Sequence, residues 1–244
     1  MTEPHPAALA AADRVWMLRA VAEGGRGGKA TRPNPLVGCV LVADDGLIGV
    51  GHHALLGGPH AEIVALGEAG DRARGATAYV TLEPCAHHGR TGPCVDALIA
   101  AGVARVVIAL TDPNPTASGG IARLRAAGVA VNVGVAAAQA ARLAEVFVVN
   151  QRQQRPFVRL KMAATLDGQV AARDGSTRWI SGLAARELVH RWRAAADAVL
   201  VGSGTALADD PRLDLRHGIS GAAPLRVVLD RRLRLPSTGH LADA

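Results

Sequence analysis

The sequence predicts an α/β protein whose first part is a mixed sheet covered by helices on both faces. Two apolar, β-rich runs at 36–43 and 47–53 flank the sequence Asp-Asp-Gly, which suits a hairpin turn. Helical and strand patterns then alternate, and a helix between two strands provides the crossover that parallel strands require. An antiparallel hairpin joined to parallel strands makes the predicted sheet mixed.

The other elements of this first part follow in chain order. A helix over 7–23 ends where the glycine- and proline-rich run 24–35 cannot continue it. Apolar periodicity then predicts a helix from Ala61, a strand at 76–82, a helix from Cys94, a strand at 104–110, a helix at 119–127, a strand at 129–135 and a helix at 136–150. These helices can cover both faces of the sheet.

A change of pattern near residue 152 marks the predicted domain boundary. The polar run 150–156 ends in a proline, which is typical of a linker. We therefore assign residues 1–152 to the first domain and 153–244 to a second one. The second domain is predicted to hold a strand at 156–163, a helix that Ser181 caps and that runs to Ala196, and strands at 197–202 and 225–230. About 90 residues are only the first half of a usual α/β domain, so we expect this domain to be partial.

Composition and charge limit the class of partner. The 244-residue chain is 49% hydrophobic and 20% charged, which provides enough apolar material for a sizeable core. Its net charge of +6 comes almost entirely from arginine, since Lys29 and Lys161 are its only lysines, and it favours anionic partners. Aromatic residues are only 2% of the chain and the arginines are scattered, which argues against nucleic acid. We expect a small phosphorylated ligand; a solvated basic surface without a partner is the alternative.

The N-terminus and the cysteines indicate a protein of the cytoplasm. Residues 1–14 include acidic residues and lack a sustained apolar core, and no later run is long enough to cross a bilayer. We therefore expect neither export nor a membrane partner. Three cysteines are an odd number and too few for a disulfide framework, so thiol or metal chemistry in a reducing compartment is favoured.

Four residues suggest a metal site with a proton-transfer group beside it. Zinc prefers nitrogen and sulfur ligands in a tetrahedron, and a catalytic zinc commonly takes three protein ligands and a water. His60, Cys85 and Cys94 supply such a set, and the predicted helix starts at His60 and Cys94 help to keep thiolates ionised. Glu62 is the expected general acid and base, acting on a water whose pKa zinc lowers to about 7.

The spacing of these residues is typical of zinc deaminases, whose signature is His-x-Glu followed by Pro-Cys-x-x-Cys. In this chain eight residues separate the two cysteines, so the second one lies across a loop. A closed structural zinc site with His87 or His88 as the fourth ligand is the alternative, but it leaves Glu62 without a role. Cys39, in a predicted strand, is expected to be a core residue.

Four motifs in order, RPNPLVG, HAE, TLEPCAHHGRTGPC and DPNP, resemble the deaminase half of bifunctional riboflavin-biosynthesis deaminase-reductases. The resemblance spans residues 12–135 and implies a cytidine-deaminase-like α/β/α domain. It also implies hydrolytic deamination of a diaminopyrimidinone ribosylamine 5'-phosphate, with release of ammonia. The substrate-binding residues that it implies are Asn34, His53, Arg90, Thr91, Asp112 and Asn114. The chain departs from the family at Gly92, where a proline is usual.

The second part resembles the start of the reductase half of the same family, through PFVRLKMAATLDGQVA, GSTRWIS and ADAVLVGSGTALADDPRLDLR. This implies a partial dihydrofolate-reductase-like α/β domain and reduction of a ribosylamino sugar by NADPH. The implied cofactor-binding residues are Ala163, Trp179, Thr205 and Asp209, and the implied substrate-binding residues are Thr177, Arg193, Leu213 and Arg216. Apart from the family, VGSGT after an apolar strand predicts a loop whose amides can approach a phosphate. Because the second part is short, we expect deaminase activity without NADPH oxidation.

Two other functions remain as alternatives. A tRNA or nucleobase deaminase shares the His-x-Glu and cysteine pattern, although the long cysteine loop and the few aromatic residues argue against it. A zinc-stabilised binding module without catalysis would gain nothing from Glu62. From the residues alone, Asn34 between two prolines also suits a turn, and His53 the end of a strand. Unpaired strands in the second part allow a homo-oligomer.

Overall fold

The computed structural model describes residues 6–44, 46–88, 92–174 and 179–242. Its internal contacts divide the chain into two compact units, Met1–Val158 and Arg159–Ala244. Among the described residues no helix combines the length and the apolar character needed to span a bilayer.

A five-stranded mixed sheet forms the centre of the first unit. Its strands are β1 (Gly38–Ala43), β2 (Gly46–His52), β3 (Thr77–Val80), β4 (Arg105–Ile108) and β5 (Ala130–Val133), in the spatial order β2-β1-β3-β4-β5. β1 pairs antiparallel with both β2 and β3, whereas β3, β4 and β5 run parallel. The predicted hairpin, the parallel pair β4 and β5, and the mixed sheet are confirmed.

Helices cover both faces of this sheet. The helices of the unit are α1 (Pro6–Gly24), α2 (Ala61–Ala69), α3 (Cys94–Ala100), α4 (Gly120–Ala126), α5 (Ala137–Leu143) and α6 (Glu145–Gln153). Successive residues of a strand point to opposite faces. Leu41 of β1 accordingly packs with residues of α2, α3 and α4, whereas its neighbour Val40 packs with Met17 of α1 and Ala140 of α5.

Two glycines let helices approach the backbone closely enough to position the site. A Cβ atom on Gly51 of β2 would lie 2.2 Å from the carbonyl oxygen of Ala61, so the first turn of α2 rests directly on the strand. A Cβ atom on Gly120 would lie 2.0 Å from the carbonyl oxygen of Pro84, which brings the start of α4 against the segment that carries Cys85. Any side chain at either position would push a helix start outward.

The end of the first unit differs from the prediction. The helix predicted over 136–150 is two helices, because Ala144 leaves helical geometry with ψ 11° between α5 and α6. α6 continues to Gln153, and Gln154 ends it in the left-handed region with φ 50°. The polar run predicted as a linker is therefore partly helical, in keeping with the good helix propensity of glutamine and arginine.

The second unit contains a small parallel sheet and two helices. Its elements are α7 (Leu183–Ala195), β6 (Ala198–Gly202), α8 (Ser203–Asp209) and β7 (Leu225–Leu229), and β6 pairs parallel with β7. These two strands and the helix α7 match the predicted elements.

Three predictions for the second unit are wrong. The run 156–163 is not a strand, because no described strand pairs with it, and Val158 and Leu160 are 71% and 81% exposed. Ser181 does not cap α7. The N-cap residue is Gly182, which has no side chain that could accept a hydrogen bond from the first turn. The VGSGT run is not a loop after the strand, because α8 begins at Ser203, directly after β6.

A buried polar network ties α1 to the sheet. Asp13 accepts hydrogen bonds of 2.8 and 2.7 Å from Arg105 and one of 2.9 Å from the Tyr79 hydroxyl. Arg105 Nε also donates to Asn132 Oδ1 at 2.9 Å. Burial raises the pKa of Asp13, but the hydrogen bonds from Arg105 and Tyr79 outweigh this effect and the pKa is lowered overall. Burial and the hydrogen bond to Asp13 raise the pKa of Tyr79 to about 12.

Asp13→Asn should lower the free energy of unfolding by about 2–4 kcal/mol, because it leaves a largely buried guanidinium without its partner charge. The stabilisation by the pair is complete above the ordinary aspartate pKa of about 4 and is lost as the pH falls through the lowered folded-state value. Denaturant unfolding at several pH values measures this dependence. The matched control is Asp96→Asn, which removes only the exposed pair with Arg123 and should cost less than about 1 kcal/mol.

The absorbance of Tyr79 reports on the same network, because it is the only tyrosine of the chain. In the wild type it should titrate at about 12, and in Asp13→Asn at a lower pH, because the charge of Asp13 is removed while the burial that raises the pKa remains. Since its pKa is raised, the stabilisation it contributes is present below about pH 10 and is lost as the pH rises through the folded-state value. Identical titration curves, or equal stability losses at Asp13 and Asp96, would contradict the network's role.

Candidate active site

Three side chains that can bind a metal converge where α2 and α3 begin. His60 immediately precedes α2, Cys94 is the first residue of α3, and Cys85 lies between β3 and α3. His60 Nδ1 lies 3.1 Å from Cys94 Sγ and 3.5 Å from Cys85 Sγ. The ligand atoms of all three lie within 4.8 Å of one another, and both cysteines are buried. In the described ranges this is the only such group of three or more residues.

The protonation of the cluster favours one thiolate. Hydrogen bonds from the Cys94 thiol and from His60 lower the pKa of Cys85 to about 4. The hydrogen bond to Cys85 raises the pKa of both Cys94 and His60. The backbone amide of Cys94 donates a further hydrogen bond of 3.4 Å to Cys85 Sγ. A metal cation would replace the shared protons of such a donor set.

This donor set fits zinc. Two sulfur atoms and one imidazole nitrogen are the ligands that zinc prefers. Neighbouring ligand atoms in a zinc tetrahedron lie about 3.5 Å apart, as Zn–S and Zn–N bond lengths require, and the His60 distances of 3.1 and 3.5 Å are close to that value. His87 and His88, the alternative fourth ligands, are exposed and do not belong to the described cluster. Among the described residues, three side chains can therefore bind a zinc ion together.

Glu62 lies in the first turn of α2, beside the cluster. Its side chain is only 3% exposed and faces the same cavity as His60. Burial raises the pKa of Glu62, and the charge of His60 partly opposes this effect. A carboxyl group with a raised pKa can both hold and release a proton near neutral pH. Glu62 thus lies beside the three possible metal ligands without belonging to their group.

A cavity of about 380 Å³ opens beside the cluster. Sites for small molecules usually measure about 300–1,000 Å³. Of the residues predicted to bind substrate, the cavity brings together Asn34, His53, Asp112 and Asn114 with the two groups His60 and Glu62. Glu62 belongs to α2, and three loops supply the other five residues: the one before β1, the one between β2 and α2, and the one after β4.

The ring of His53 is held in one orientation. His53 Nδ1 donates a hydrogen bond of 3.1 Å to the carbonyl oxygen of Pro59, so the neutral ring presents Nε2 as an acceptor. The side-chain amide of Asn34 donates to that nitrogen at 3.1 Å. Burial lowers the pKa of His53, which favours this neutral form. The pair leaves Asn34 Oδ1 and the second amide hydrogen for a ligand.

The loop after β4 holds Asp112 and Asn114 in a turn. Asp112 Oδ1 accepts a hydrogen bond of 2.8 Å from the Asn114 amide, and Asn114 Oδ1 accepts two from Thr116, at 3.1 and 2.6 Å. Burial raises the pKa of Asp112. Because Asn114 Oδ1 is used within the turn, its amide hydrogens are the groups left for a ligand.

Glu83 and Phe147 are among the cavity residues that were not predicted from the sequence. Glu83 precedes Cys85 by two positions, and the motif TLEPC contained it without a sign of its role. Phe147 lines the cavity from α6, a helix predicted only as polar, and no local pattern marked it. Three predicted residues, Arg90, Thr91 and Thr177, lie outside the described residues.

In the second unit, the predicted substrate residues surround a buried histidine. His190 is 5% exposed, and its Nδ1 accepts a hydrogen bond of 3.1 Å from the backbone amide of Arg216. Arg193 Nη1 lies 3.4 Å from the same nitrogen and donates to the carbonyl oxygen of Asp214 at 2.7 Å. Leu213 is buried, with φ 52°. Arg193, Leu213 and Arg216 are thus brought together.

The predicted cofactor residues lie on separate segments of the second unit. Thr205 and Asp209 are exposed one turn apart on α8. Trp179 is 61% exposed and lies against the Arg186 guanidinium, which is 4.3 Å from its ring centre. Ala163 is half-buried in a segment without regular secondary structure.

Comparison with known proteins covers both halves of the chain. Residues 11–110 match the family described as the cytidine and deoxycytidylate deaminase zinc-binding region, and residues 156–244 match the RibD C-terminal domain. The riboflavin biosynthesis protein RibD of Aquifex aeolicus is 47% identical over 214 residues, which are 87% of this chain and 60% of that protein.

Two solved structures resemble the chain along nearly its whole length. RibD of Acinetobacter baumannii is 49% identical with a TM-score of 0.85, covering 95% of this chain and 67% of that one. The deaminase/reductase of Thermotoga maritima is 40% identical with a TM-score of 0.89, covering 96% of this chain and 67% of that one.

The fold and the His-Cys-Cys cluster define a cytidine-deaminase-like domain with a zinc-binding region, followed by a RibD C-terminal domain. The chain belongs to the RibD family of riboflavin biosynthesis proteins. It spans 56–60% of the length of the first curated relatives that it matches. The fold class and the family predicted from the sequence are confirmed.

Proposed function

We propose that the first unit is a zinc-dependent hydrolase of riboflavin biosynthesis that deaminates a diaminopyrimidinone ribosylamine 5'-phosphate. The observation that carries this proposal is the convergence of His60, Cys85 and Cys94 beside a cavity that also contains the buried carboxyl of Glu62. Bound zinc would supply a water of lowered pKa at this point. A binding module without catalysis has no use for a buried carboxyl in that position.

Proton transfer in this reaction falls to Glu62. Its carboxylate takes one proton from the attacking water and gives it to the ring nitrogen, and it then carries the second proton of that water to the departing amino group, which leaves as ammonia. The oxygen of the water ends as the new ring carbonyl, so one C–N bond is exchanged for a C=O bond. Burial, which raises the pKa of Glu62, makes the protonated form accessible in mid-reaction.

The cavity residues support a pyrimidine nucleotide-like substrate over a polymer. Asn34, Asp112 and Asn114 offer amide and carboxyl groups that can pair with ring nitrogens and sugar hydroxyls. The volume of about 380 Å³ accommodates one base and its sugar. A net charge of +6 suits the phosphate. We further place this activity in the cytoplasm, because an odd number of cysteines, two of them proposed as zinc ligands, suits a reducing compartment.

The test of this proposal is ammonia release by the zinc-loaded chain. We expect turnover of the diaminopyrimidinone ribosylamine phosphate and, in a parallel assay, at least about 100-fold lower kcat/KM for cytidine and for a tRNA anticodon stem. Removal of zinc with a chelator should abolish release, and added zinc should restore it. Preferential deamination of the tRNA would replace the proposed substrate by nucleic acid.

We also propose that the second unit takes part in NADPH-dependent reduction of the deaminated product. The match of residues 156–244 to the RibD C-terminal domain and the cluster of Arg193, Leu213 and Arg216 support this role. The Arg193 guanidinium donates to the carbonyl oxygen of Asp214 and the Arg216 guanidinium lies 2.9 Å from the Asp214 carboxylate, and both could bind a phosphate in exchange. NADPH absorbance, followed after ammonia release is complete, tests the role. Loss of NADPH absorbance supports the proposal, whereas no loss overturns it and leaves deaminase activity alone.

A further inference from the structure

Glu83 is a buried carboxylate that the proposed reaction does not use. It lies two residues before Cys85, is 6% exposed and lines the cavity. Its backbone amide donates a hydrogen bond of 2.8 Å to the carbonyl oxygen of Leu110, which joins the segment after β3 to the end of β4. A carboxylate at this depth requires hydrogen-bonding partners, since burial without them is costly.

Backbone amides occupy both oxygens of this carboxylate. Oε2 accepts a hydrogen bond of 3.1 Å from the amide of Asp112. Oε1 accepts two, of 3.0 Å from Gly119 and 3.1 Å from Ile121. Hydrogen bonds to an ionised acceptor are roughly twice as strong as those between neutral groups. The side chain of Glu83 therefore bridges the loop after β4 and the start of α4.

The bridged loop carries two of the cavity side chains. Glu83 fixes the backbone amide of Asp112. The turn begins at this residue, where Asp112 Oδ1 accepts a hydrogen bond of 2.8 Å from the Asn114 amide. The same loop is attached a second time by the Ala86 amide, which donates to the carbonyl oxygen of Ala117 at 3.2 Å. Glu83 and Ala86 lie on either side of Cys85. Their hydrogen bonds therefore hold the loop at a fixed position relative to the segment that carries one metal ligand.

We propose that Glu83 is a positioning residue that sets Asp112 and Asn114 at a fixed distance from the metal cluster. The proposal rests on the deaminase function proposed above. Glu83 acts as an acceptor for three amides, and proton transfer stays with Glu62. Glutamine cannot replace it, because only one of the two terminal atoms of glutamine accepts hydrogen bonds.

Steady-state kinetics of Glu83→Gln in the zinc-loaded full chain test this role. We expect KM for the pyrimidine phosphate to rise at least about tenfold, with kcat within about threefold of wild type, since binding groups are displaced and the proton-transfer group is not. The control is Glu68→Gln, because Glu68 Oε2 also accepts from a backbone amide, that of Val50 at 2.8 Å. Its KM should be unchanged. A fall in kcat with an altered pH profile and an unchanged KM would make Glu83 a proton-transfer residue and overturn the proposal.

A double-mutant cycle shows whether Glu83 acts through the loop. If it does, adding Asn114→Ala to Glu83→Gln should raise KM by no more than about twofold beyond the larger single effect. Multiplication of the two single effects would show that the residues act independently, which contradicts a positioning role.

Amide exchange provides a readout that does not depend on activity. In Glu83→Gln the amides of the non-proline residues in 111–121 should exchange at least about tenfold faster than in the wild type, with unchanged zinc content. In Glu68→Gln they should not. A wild-type chain that releases no ammonia overturns the proposed function, while the exchange rates still test the bridge. Equal exchange in the wild type and Glu83→Gln overturns the bridge itself.

Discussion

Glu62→Gln is expected to lower kcat for ammonia release by at least about 100-fold, with zinc content and fold unchanged. Glutamine preserves the size of the side chain but cannot take a proton from water and return it to the leaving group. Glu62 is 3% exposed and is not one of the three side chains that could bind a metal, so the substitution removes none of the candidate ligands. Single-turnover ammonia release, measured beside metal analysis and circular dichroism, separates the chemical step from binding.

The matched control is again Glu68→Gln, on the same helix. Glu68 lies outside the cavity, so this variant should release ammonia at the wild-type rate. Two results would remove Glu62 from its assigned role. One is near wild-type release by Glu62→Gln. The other is joint loss of zinc and activity, which would make Glu62 a ligand.

Cys94→Ala is expected to weaken zinc binding by more than about 100-fold, the upper end of what removal of an outer-shell partner costs. The substitution removes one of three donors and also the thiol that hydrogen-bonds to Cys85. The remaining pair, His60 and Cys85, would have to complete the tetrahedron with water. Competition with a chromophoric chelator measures the zinc affinity directly.

Two variants control for other sources of zinc loss. Cys39→Ala removes a thiol that is fully buried in an apolar cluster, so zinc should be retained even if stability falls. His87→Ala removes an exposed imidazole near the cavity and should also retain zinc. Full zinc in Cys94→Ala, with loss in His87→Ala, would place the metal elsewhere. Thermal melts of each apo-protein show whether lost zinc reflects lost ligands or lost fold.

The sequence predicted most of the first unit because its signals are local. Each of these signals can be recognised within a few residues. Examples are the turn Asp-Asp-Gly, the alternating strand runs, and the pair His60 and Glu62 at a helix start. The role of Glu83 is different. Its three amide partners lie between 29 and 38 positions further along the chain, and only the folded loop brings them to one carboxylate.

The second unit shows what local patterns leave undetermined. An apolar, β-rich run such as 156–163 becomes a strand only when another strand pairs with it, and none in the described part of the chain does. The glycines of VGSGT suggested a loop, but α8 begins at Ser203, directly after the end of β6. Propensity was outweighed by context in both cases.

Gly51 and Gly120 have a consequence for how freely this site can evolve. Each allows a helix start to approach the backbone more closely than a Cβ atom permits. In a saturation scan scored by zinc retention, both positions should tolerate substitution as poorly as the metal ligands, although neither glycine has a side chain to offer a metal. The geometry of the site thus depends on the absence of a side chain at these two positions. A redesign for a larger substrate could therefore substitute residues of the cavity loops more freely than Gly51 or Gly120.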